Sequence, residues 1–129
     1  MADHGTFHWN ELMTRDVKKA KDFYAKTLGW TYDDMPMGDM YGTYTIAKSG
    51  GEMVAGMFEM KGKDFDGQPE NWFTYVAVDD VDKKAKKAKE AGGKVMREPW
   101  DVPGVGRIAI VQAPGGAAQG WMVPAPGGM

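Results

Sequence analysis

Residues 14–21 read TRDVKKAK, and residues 78–85, 64 positions further along the chain, read VDDVDKKA. Each stretch contains an Asp-Val pair beside a lysine-rich run. An internal repeat at a fixed period identifies an architecture before any single motif does. The sequence therefore predicts that the chain contains the same structural module twice.

Other residues keep the same offset without any insertion. The offset of 64 carries Trp9 onto Phe73. It also pairs glycines, namely Gly29 with Gly93, Gly51 with Gly115, and Gly56 with Gly120. Because one offset relates positions spread over much of the chain, we interpret the repeat as a duplication of the whole module.

The repeat begins with a strand in each half. Residues 7–14 (FHWNELMT) predict a β-strand, and the alternation of side chains along a strand puts Trp9, Glu11 and Met13 on one face. The equivalent strand of the second half is expected at residues 72–78. These two strands are the reference for every later assignment of a side chain to a face.

A helix and three short strands follow in the first half. Asp16 is expected to cap a helix over residues 17–28, and Gly29 is expected to end it. β-branched and aromatic residues between turn signals predict three more strands. They are expected near residues 30–35, 40–47 and 52–59. The first half is thus predicted to be βαβββ.

The second half repeats this order after a polar connection at residues 61–70 (KGKDFDGQPE). A helix is expected at residues 81–91, ended by Gly92 and Gly93. The later strands are expected near residues 94–98, 106–112 and 117–123. We therefore predict a single domain over residues 1–129, with one module at about residues 5–60 and another at about residues 71–124.

The composition of the chain limits the kinds of fold and binding partner that it can have. The chain has 129 residues, 43% of them hydrophobic, which suits one globular domain. It has no cysteine, which excludes disulfides, thiolate metal ligands and cysteine nucleophiles. The net charge of -2 gives no general attraction to nucleic acid or anionic lipid, and no apolar run is long enough to span a membrane. We therefore expect a cytoplasmic protein with a small-molecule ligand and with no nucleic-acid or membrane partner.

Several motifs at these spacings resemble those of one family. In the first half they are Trp9-x-Glu11-Leu12-x-Thr14-x-Asp16, Phe23-Tyr24 and Leu28-Gly29-Trp30. In the second half they are residues 101–107 (DVPGVGR) and 113–117 (APGGA). Together they resemble the vicinal oxygen chelate superfamily, which includes glyoxalases, bleomycin-resistance proteins, ring-cleaving dioxygenases and epimerases. The chain most resembles the metal-poor, tandem glyoxalase-like branch found in bacteria.

The resemblance implies a fold and a site. The implied fold is α+β, with two tandem βαβββ modules in a curved eight-stranded mixed sheet, helices on the outer face and a ligand cleft between the modules. In metal-dependent members two strands of each module offer ligands to a divalent ion, and those positions here hold Trp9, Gly56, Phe73 and Gly120. An indole, a phenyl ring and two glycines offer neither imidazole nitrogen nor carboxylate oxygen. We therefore predict no metal site and no cofactor.

Alternation along the strands predicts which side chains line the cleft. If Trp9 faces inward, Glu11 and Met13 do so too, and in the second half Tyr75 faces inward while Val76 packs under the helix. The candidate ligand-binding residues are Trp9, Glu11, Met13, Phe58, Phe73, Tyr75, Trp100, Arg107 and Met122. An apolar, aromatic-lined concavity with a few polar groups is typical of a small-molecule site. The same rings would also suit a solid core.

Two of these candidates have specific alternatives. Arg107, at the start of a strand, is the expected partner of Glu11, either in a structural ion pair or as an anion-binding group beside a functional acid. That assignment requires Arg107 to face inward, and the opposite register is also open. Trp100 follows Pro99 on a predicted loop, where it is a candidate contact for a ligand or a second subunit.

Two functions from different classes follow. The favoured one is a metal-independent glyoxalase-like protein that binds a small aromatic or amphipathic molecule and is not an enzyme. The alternative is a glyoxalase-like lyase or isomerase in which Glu11 is the catalytic general base, helped by Arg107 or Tyr75 as electrophile. We also expect a homodimer.

Overall fold

The computed structural model describes residues 3–38 and 42–126, and in these ranges it has eight β-strands and two α-helices in the order βαβββ–βαβββ. The strands are β1 (Phe7–Thr14), β2 (Thr31–Pro36), β3 (Thr43–Ser49), β4 (Glu52–Glu59), β5 (Asn71–Ala77), β6 (Lys94–Val102), β7 (Gly106–Gln112) and β8 (Ala118–Pro124). The helices are α1 (Val17–Leu28) and α2 (Val81–Glu90), and a short 3-10 turn covers Lys63–Phe65. The predicted α+β class and repeated module are confirmed.

The chain divides into two compact units. Residues 10–73 form the first unit, and the described parts of residues 1–9 and 74–129 form the second unit. The strand order is β2-β3-β4-β1 in the first unit and β5-β8-β7-β6 in the second. In both, one parallel pair (β1–β4 or β5–β8) is combined with two antiparallel pairs, which makes the sheet mixed.

Both helices begin in the same way. The carboxylate of Asp16 accepts a hydrogen bond from the backbone N–H of Lys19 at 3.0 Å, and that of Asp80 accepts one from the N–H of Lys83 at 3.1 Å. Such caps satisfy N–H groups that have no partner inside the helix. The cap predicted at Asp16 is confirmed. So is the end of α1 at Gly29, whose φ of 73° is left-handed.

Strand pairing repeats with the same offset. The pair β1–β4 places Glu11 opposite Gly56, and the pair β5–β8 places Tyr75 opposite Gly120. Residues 11 and 75, like residues 56 and 120, are 64 positions apart. The sequence repeat is therefore also a repeat of register, so each side chain can be compared with its equivalent in the other unit.

The side chains under α2 follow the predicted alternation. Val78, Val81 and Ala109 form a buried cluster, and Val76 and Trp121 pack against it. The prediction that Val76 packs under the helix is confirmed. Neither α1 nor α2, the α-helices of the described ranges, is long and apolar enough to cross a membrane.

Two strands differ from the prediction. β6 was expected to end at residue 98 but continues to Val102, because its later residues pair with β7, where Trp100 lies opposite Ile108. The register shifts between Arg97 and Trp100. This irregularity on the outermost strand of its unit accommodates Pro99, which cannot donate a backbone hydrogen bond. β3 begins at Thr43 and ends at Ser49, and residues 40–41 of the predicted strand lie outside the described residues.

Candidate functional site

A carboxylate and a phenol meet on the sheet of the first unit. Glu11 on β1 is half-buried and lies opposite Gly56 on β4. Tyr44 on β3, only 8% exposed, donates a hydrogen bond from its phenol oxygen to Glu11 Oε2 at 2.6 Å. This distance lies at the short end of the range for O–H···O hydrogen bonds. The pair therefore places a hydrogen-bonded polar group on this face of the sheet.

The tyrosine ring occupies the space where residue 56 would carry a side chain. A Cβ atom added to Gly56 would overlap the phenol oxygen and ring of Tyr44. Gly56 itself is buried. Glycine at this position is thus explained by close packing, because the Tyr44–Glu11 hydrogen bond needs the phenol directly over the glycine.

The second unit has a tyrosine over the equivalent glycine. Tyr75 lies opposite Gly120, and a Cβ atom on Gly120 would overlap the Tyr75 ring and lie 3.2 Å from its Cγ. Here the tyrosine stands at the position equivalent to Glu11, and the position equivalent to Tyr44 holds Ile108, which is buried. Both glycines are therefore covered by a tyrosine, and the residue opposite the glycine is Glu11 in the first unit and the covering tyrosine itself, Tyr75, in the second.

These positions do not fit a divalent metal ion. Trp9 and Phe73 carry no suitable donor atom, and Gly56 and Gly120 carry no side chain. The space beside each glycine is filled by an aromatic ring. Across residues 3–38 and 42–126, no group of three or more His, Asp or Glu side chains could hold a metal ion either. The residues at the four positions where the superfamily resemblance implies metal ligands therefore offer no ligand atom, and tyrosine rings fill the space beside the two glycines.

The structure brings together several of the predicted site residues within each unit. In the first unit Met13 lies opposite Phe58, beside the Glu11–Gly56 pair, and the Phe58 ring lies 5.9 Å from that of Phe65. In the second unit Ala77 lies opposite Met122, which is buried and shares a face with Gly120. In each unit these paired strand residues therefore lie side by side on one face of the sheet.

Trp9 and Phe73 mark the points where the two units divide. The first unit begins directly after Trp9 and ends at Phe73. Both side chains are half-buried. Alternation puts Trp9 on the face of Glu11 and Phe73 on the face of Tyr75. Their role in ligand binding stays a prediction.

The prediction that Arg107 is the partner of Glu11 is wrong. Arg107 donates to Asp82 of α2 through Nε at 2.8 Å and Nη2 at 2.9 Å, and its Nη1 lies 3.3 Å from Asp101. Arg107 therefore shares the helix-facing side of β7 with Ala109, the register that the sequence left open. Hydrogen bonds with Asp82 and then Asp101 raise the pKa of Arg107, and those from Arg107 lower the pKa of Asp82. The guanidinium of Arg107 thus interacts with two carboxylates of its own unit, those of Asp82 and Asp101.

Trp100 lies in a strand and not on the predicted loop. It is half-buried in β6, and the guanidinium of Arg97 lies 3.6 Å from the centre of its indole ring. Its Nε1 is, in the described part of the chain, the one buried side-chain nitrogen or oxygen without a hydrogen-bond partner. The cation over the ring and the extended β6 explain why this aromatic residue is not left in solvent.

Tyr44 is the site residue that the sequence analysis missed. Its neighbours in sequence do not distinguish it from any other strand tyrosine. The available signal was the glycine at position 56, because a buried glycine in a strand implies a large side chain nearby on the same face. Ile46 lies opposite Gly56 on the neighbouring strand, and Tyr44 is two residues from Ile46 on that face.

Comparison with known proteins places these features in a family. Residues 6–118 match the Glyoxalase/Bleomycin resistance protein/Dioxygenase superfamily. CFP32 of Mycobacterium bovis, a protein provisionally named a glyoxylase, is 41% identical over 116 residues, which are 90% of this chain and 44% of the relative. The anthracycline biosynthesis protein DnrV of Streptomyces peucetius is 36% identical over 121 residues, which cover 85% of this chain and 44% of that protein. The chain thus spans less than half the length of these relatives.

Solved structures agree on the fold. The hypothetical protein BH1468 of Bacillus halodurans C-125 superposes with a TM-score of 0.72 at 13% identity, covering 96% of this chain and 97% of its own. Methylmalonyl-CoA epimerase of Mycobacterium tuberculosis superposes with a TM-score of 0.66 at 16% identity, covering 98% and 93%. At these identities the likeness concerns the fold alone.

Proposed function

Because the chain belongs to the Glyoxalase/Bleomycin resistance protein/Dioxygenase superfamily, we propose that it is a cytoplasmic protein that binds a small aromatic or amphipathic molecule without a metal ion. The observation that carries this proposal is the short Tyr44–Glu11 hydrogen bond directly over Gly56. The Tyr44 ring fills the space into which a metal ligand at position 56 would project, and its phenol forms a polar pair with Glu11 on the same face of the sheet.

The composition of the sheet face supports ligand binding. Glu11 and Tyr44 supply a polar pair, while Met13 and Phe58, which are both half-buried and lie opposite each other, supply apolar surface on the same face. Small-molecule sites combine a mostly apolar lining with a few fixed polar groups that orient the ligand. Burying a carboxyl group is costly unless it is hydrogen-bonded, and the Tyr44 phenol supplies that hydrogen bond to Glu11.

The test of binding uses N-phenyl-1-naphthylamine, a neutral aromatic probe whose fluorescence rises in apolar sites. We expect saturable binding that is unchanged by EDTA or by added cobalt. Truncation by Tyr44→Ala should weaken binding at least about tenfold, since it removes both a donor and ring contacts. Glu11→Gln should have little effect, because the neutral amide still fills the site. The control is Glu59→Gln, an exposed carboxylate on β4.

Two outcomes would contradict the proposal. Loss of probe binding after EDTA treatment, restored by a divalent ion, would show that a metal is required. Equal affinity for wild type and Tyr44→Ala would show that the probe binds elsewhere.

The enzyme alternative also rests on the Tyr44–Glu11 pair. A carboxylate within 2.6 Å of a phenol is suited to removing a proton next to a carbonyl, with the phenol supplying a hydrogen bond or a proton. Arg107 is no longer a helper in this alternative, because its partners are Asp82 and Asp101. Methylmalonyl-CoA, which is bound in one structure of the same fold, is a suitable test compound.

The alternative is tested by proton exchange. Methylmalonyl-CoA in D2O is followed by NMR for loss of the proton next to its carbonyls. The alternative predicts exchange by the wild-type protein that falls at least about a hundredfold in Glu11→Gln, as expected for loss of a general base. An exchange rate equal to that of buffer contradicts it for this substrate.

A further inference from the structure

The sheet of the second unit carries an arginine on the side away from α2. Ala109 of β7 packs under α2, so its neighbour Ile110 points to the opposite side. Ile110 lies opposite both Arg97 of β6 and Gly120 of β8, and Gly120 lies opposite Tyr75 of β5. Residues opposite each other on neighbouring strands share a face. We call this side the Gly120 face and define it by Tyr75, Arg97, Ile110 and Gly120.

Arg97 is held against an aromatic ring of the same face. Trp100 lies opposite Ile108, two residues from Ile110, and the guanidinium carbon of Arg97 lies 3.6 Å from the centre of its indole. Contact with a ring uses the flat face of a guanidinium and leaves its N–H groups for an acceptor. Arg97 is exposed, and across residues 3–38 and 42–126 it forms no ion pair. The indole thus positions a cation whose charge no described carboxylate neutralises.

The Gly120 face carries a second cation and no acid from its own strands. Lys94 lies opposite Gln112, which is two residues from Ile110 and so shares its face. All residues of β5–β8 are described, and none of those on this face is acidic. Glu98 of β6 pairs instead with Lys89 of α2 at 2.9 Å, on the helix side. The excess of positive charge on the Gly120 face attracts anions.

The repeat indicates that the fold does not require a cation at position 97. The equivalent residue, 64 positions earlier, is Asp33, which occupies the same place in its strand pair. Asp33 forms an ion pair with Lys48, and the residue equivalent to Lys48 is the uncharged Gln112. The first unit therefore neutralises the charge at this place, whereas the second unit leaves the charge of Arg97 available.

We propose that the Gly120 face binds an aromatic anion, with Arg97 as the group that holds the negative charge. The anionic group accepts hydrogen bonds from the guanidinium, while the ligand rings lie against Ile110 and Tyr75, both half-buried. Lys94 adds long-range attraction for the anion. This inference rests on the proposed function, because it names the charge of the small aromatic ligand.

The test compares two fluorescent probes that share one ring system. The anionic probe 8-anilinonaphthalene-1-sulfonate is N-phenyl-1-naphthylamine with an added sulfonate, so the comparison isolates the negative charge. Arg97→Met should weaken binding of the sulfonate probe at least about tenfold, since it removes charge-assisted hydrogen bonds. The same variant should bind the neutral probe as the wild type does. Arg97→Lys keeps the charge but loses the planar fork, so its effect should be intermediate.

The matched control is Lys86→Met, which removes an exposed cation from α2 of the same unit and changes the net charge equally. It should bind the sulfonate probe as tightly as the wild type does. Because Arg97 is exposed, its variants should keep the wild-type circular dichroism spectrum.

Four outcomes would overturn the inference. They are absence of sulfonate-probe binding by the wild type, unchanged affinity for that probe in Arg97→Met, equal weakening of both probes in Arg97→Met, and equal weakening in Lys86→Met. The two proposals can fail separately. Neutral-probe binding that depends on Tyr44, with sulfonate-probe binding that ignores Arg97, overturns this inference alone. Sulfonate-probe binding that depends on Arg97, with neutral-probe binding that ignores Tyr44, supports it and contradicts the assignment of the Tyr44–Glu11 pair.

Discussion

The two units cover their central glycines with the same kind of ring but in different ways. In the first unit Tyr44 reaches Gly56 from β3, and Glu11 remains opposite the glycine to accept its hydrogen bond. In the second unit Tyr75 itself stands opposite Gly120. The position that would match Tyr44 holds the aliphatic Ile108.

This difference distinguishes the ring that fills the space above each glycine from the additional polar residue, Glu11, in the first unit. Filling the space above a glycine needs only a ring, and both units have one. The first unit has a glutamate, Glu11, opposite its glycine, whereas the second unit has the covering tyrosine, Tyr75, at the equivalent position. Under the proposed function, the polar contribution of the first unit comes from the Tyr44–Glu11 pair.

The largest effect is expected from adding a methyl group to Gly120. Gly120→Ala should lower the free energy of unfolding by about 1–3 kcal/mol, because the new Cβ overlaps a ring close to its attachment point and overpacking strains a core. Gly56→Ala should cost less, since the overlap is with the far end of Tyr44, which can rotate away and give up its hydrogen bond. Urea denaturation measures both.

Gly115→Ala is the control for these two variants, because a Cβ atom there meets nothing within 4 Å. Its stability should stay close to wild type. A loss at Gly115 as large as that at Gly120 would mean that the tyrosine ring is not the cause.

The next effect concerns the polar pair of the first unit. Tyr44→Phe should lower the free energy of unfolding by about 1–2 kcal/mol, because it removes the hydrogen bond to the half-buried carboxyl group of Glu11. A double-mutant cycle with Glu11→Gln should give a coupling energy of roughly 1 kcal/mol or more. Additive effects would show that the two side chains do not depend on each other.

The helix caps should make similar contributions in the two units. Asp16→Ala and Asp80→Ala should each lower stability by about 0.5–2 kcal/mol, since each removes one acceptor from the first turn. Thermal unfolding measures the shift in Tm for both variants. A large shift in Tm for one variant and none for the other would show that the two helix caps are not energetically equivalent.

The smallest effect is a pH dependence of stability that comes from one carboxylate of the second unit. Hydrogen bonding by Arg107 lowers the pKa of Asp82. The resulting stability is present above the ordinary carboxyl pKa near 4 and is lost as the pH falls through the lower pKa of the folded state. Asp82→Asn should therefore show a shallower loss of stability on acidification than wild type. Arg107→Met should flatten the same part of the curve, and an unchanged slope in both variants would rule out this linkage.

Local signals predicted much of the fold. The cap at Asp16, the stop at Gly29 and the alternation in β1 are each determined by residues close in sequence. The repeat then extended these assignments to the second half. The predicted end of β6 was too early because a proline usually marks the end of a strand. An outer strand with a shift in register tolerates Pro99.

The site was less predictable because it depends on contacts between strands. Tyr44 reaches Glu11 across 33 positions of sequence, and no local pattern encodes that contact. The register of β7 was ambiguous because apolar residues occupy both of its faces, with Ala109 on one and Ile108 on the other. The contact of Arg107 with Asp82 on α2 decides between the two registers.

The most direct test of the central claim is the metal content of the purified, untagged protein after growth in medium supplemented with zinc, cobalt and nickel. Mass spectrometry of the metals should find far less than one ion per chain, because tyrosine rings fill the space beside Gly56 and Gly120. One tightly held ion per chain, together with tyrosine rings moved away from these glycines in a crystal structure, would contradict the account.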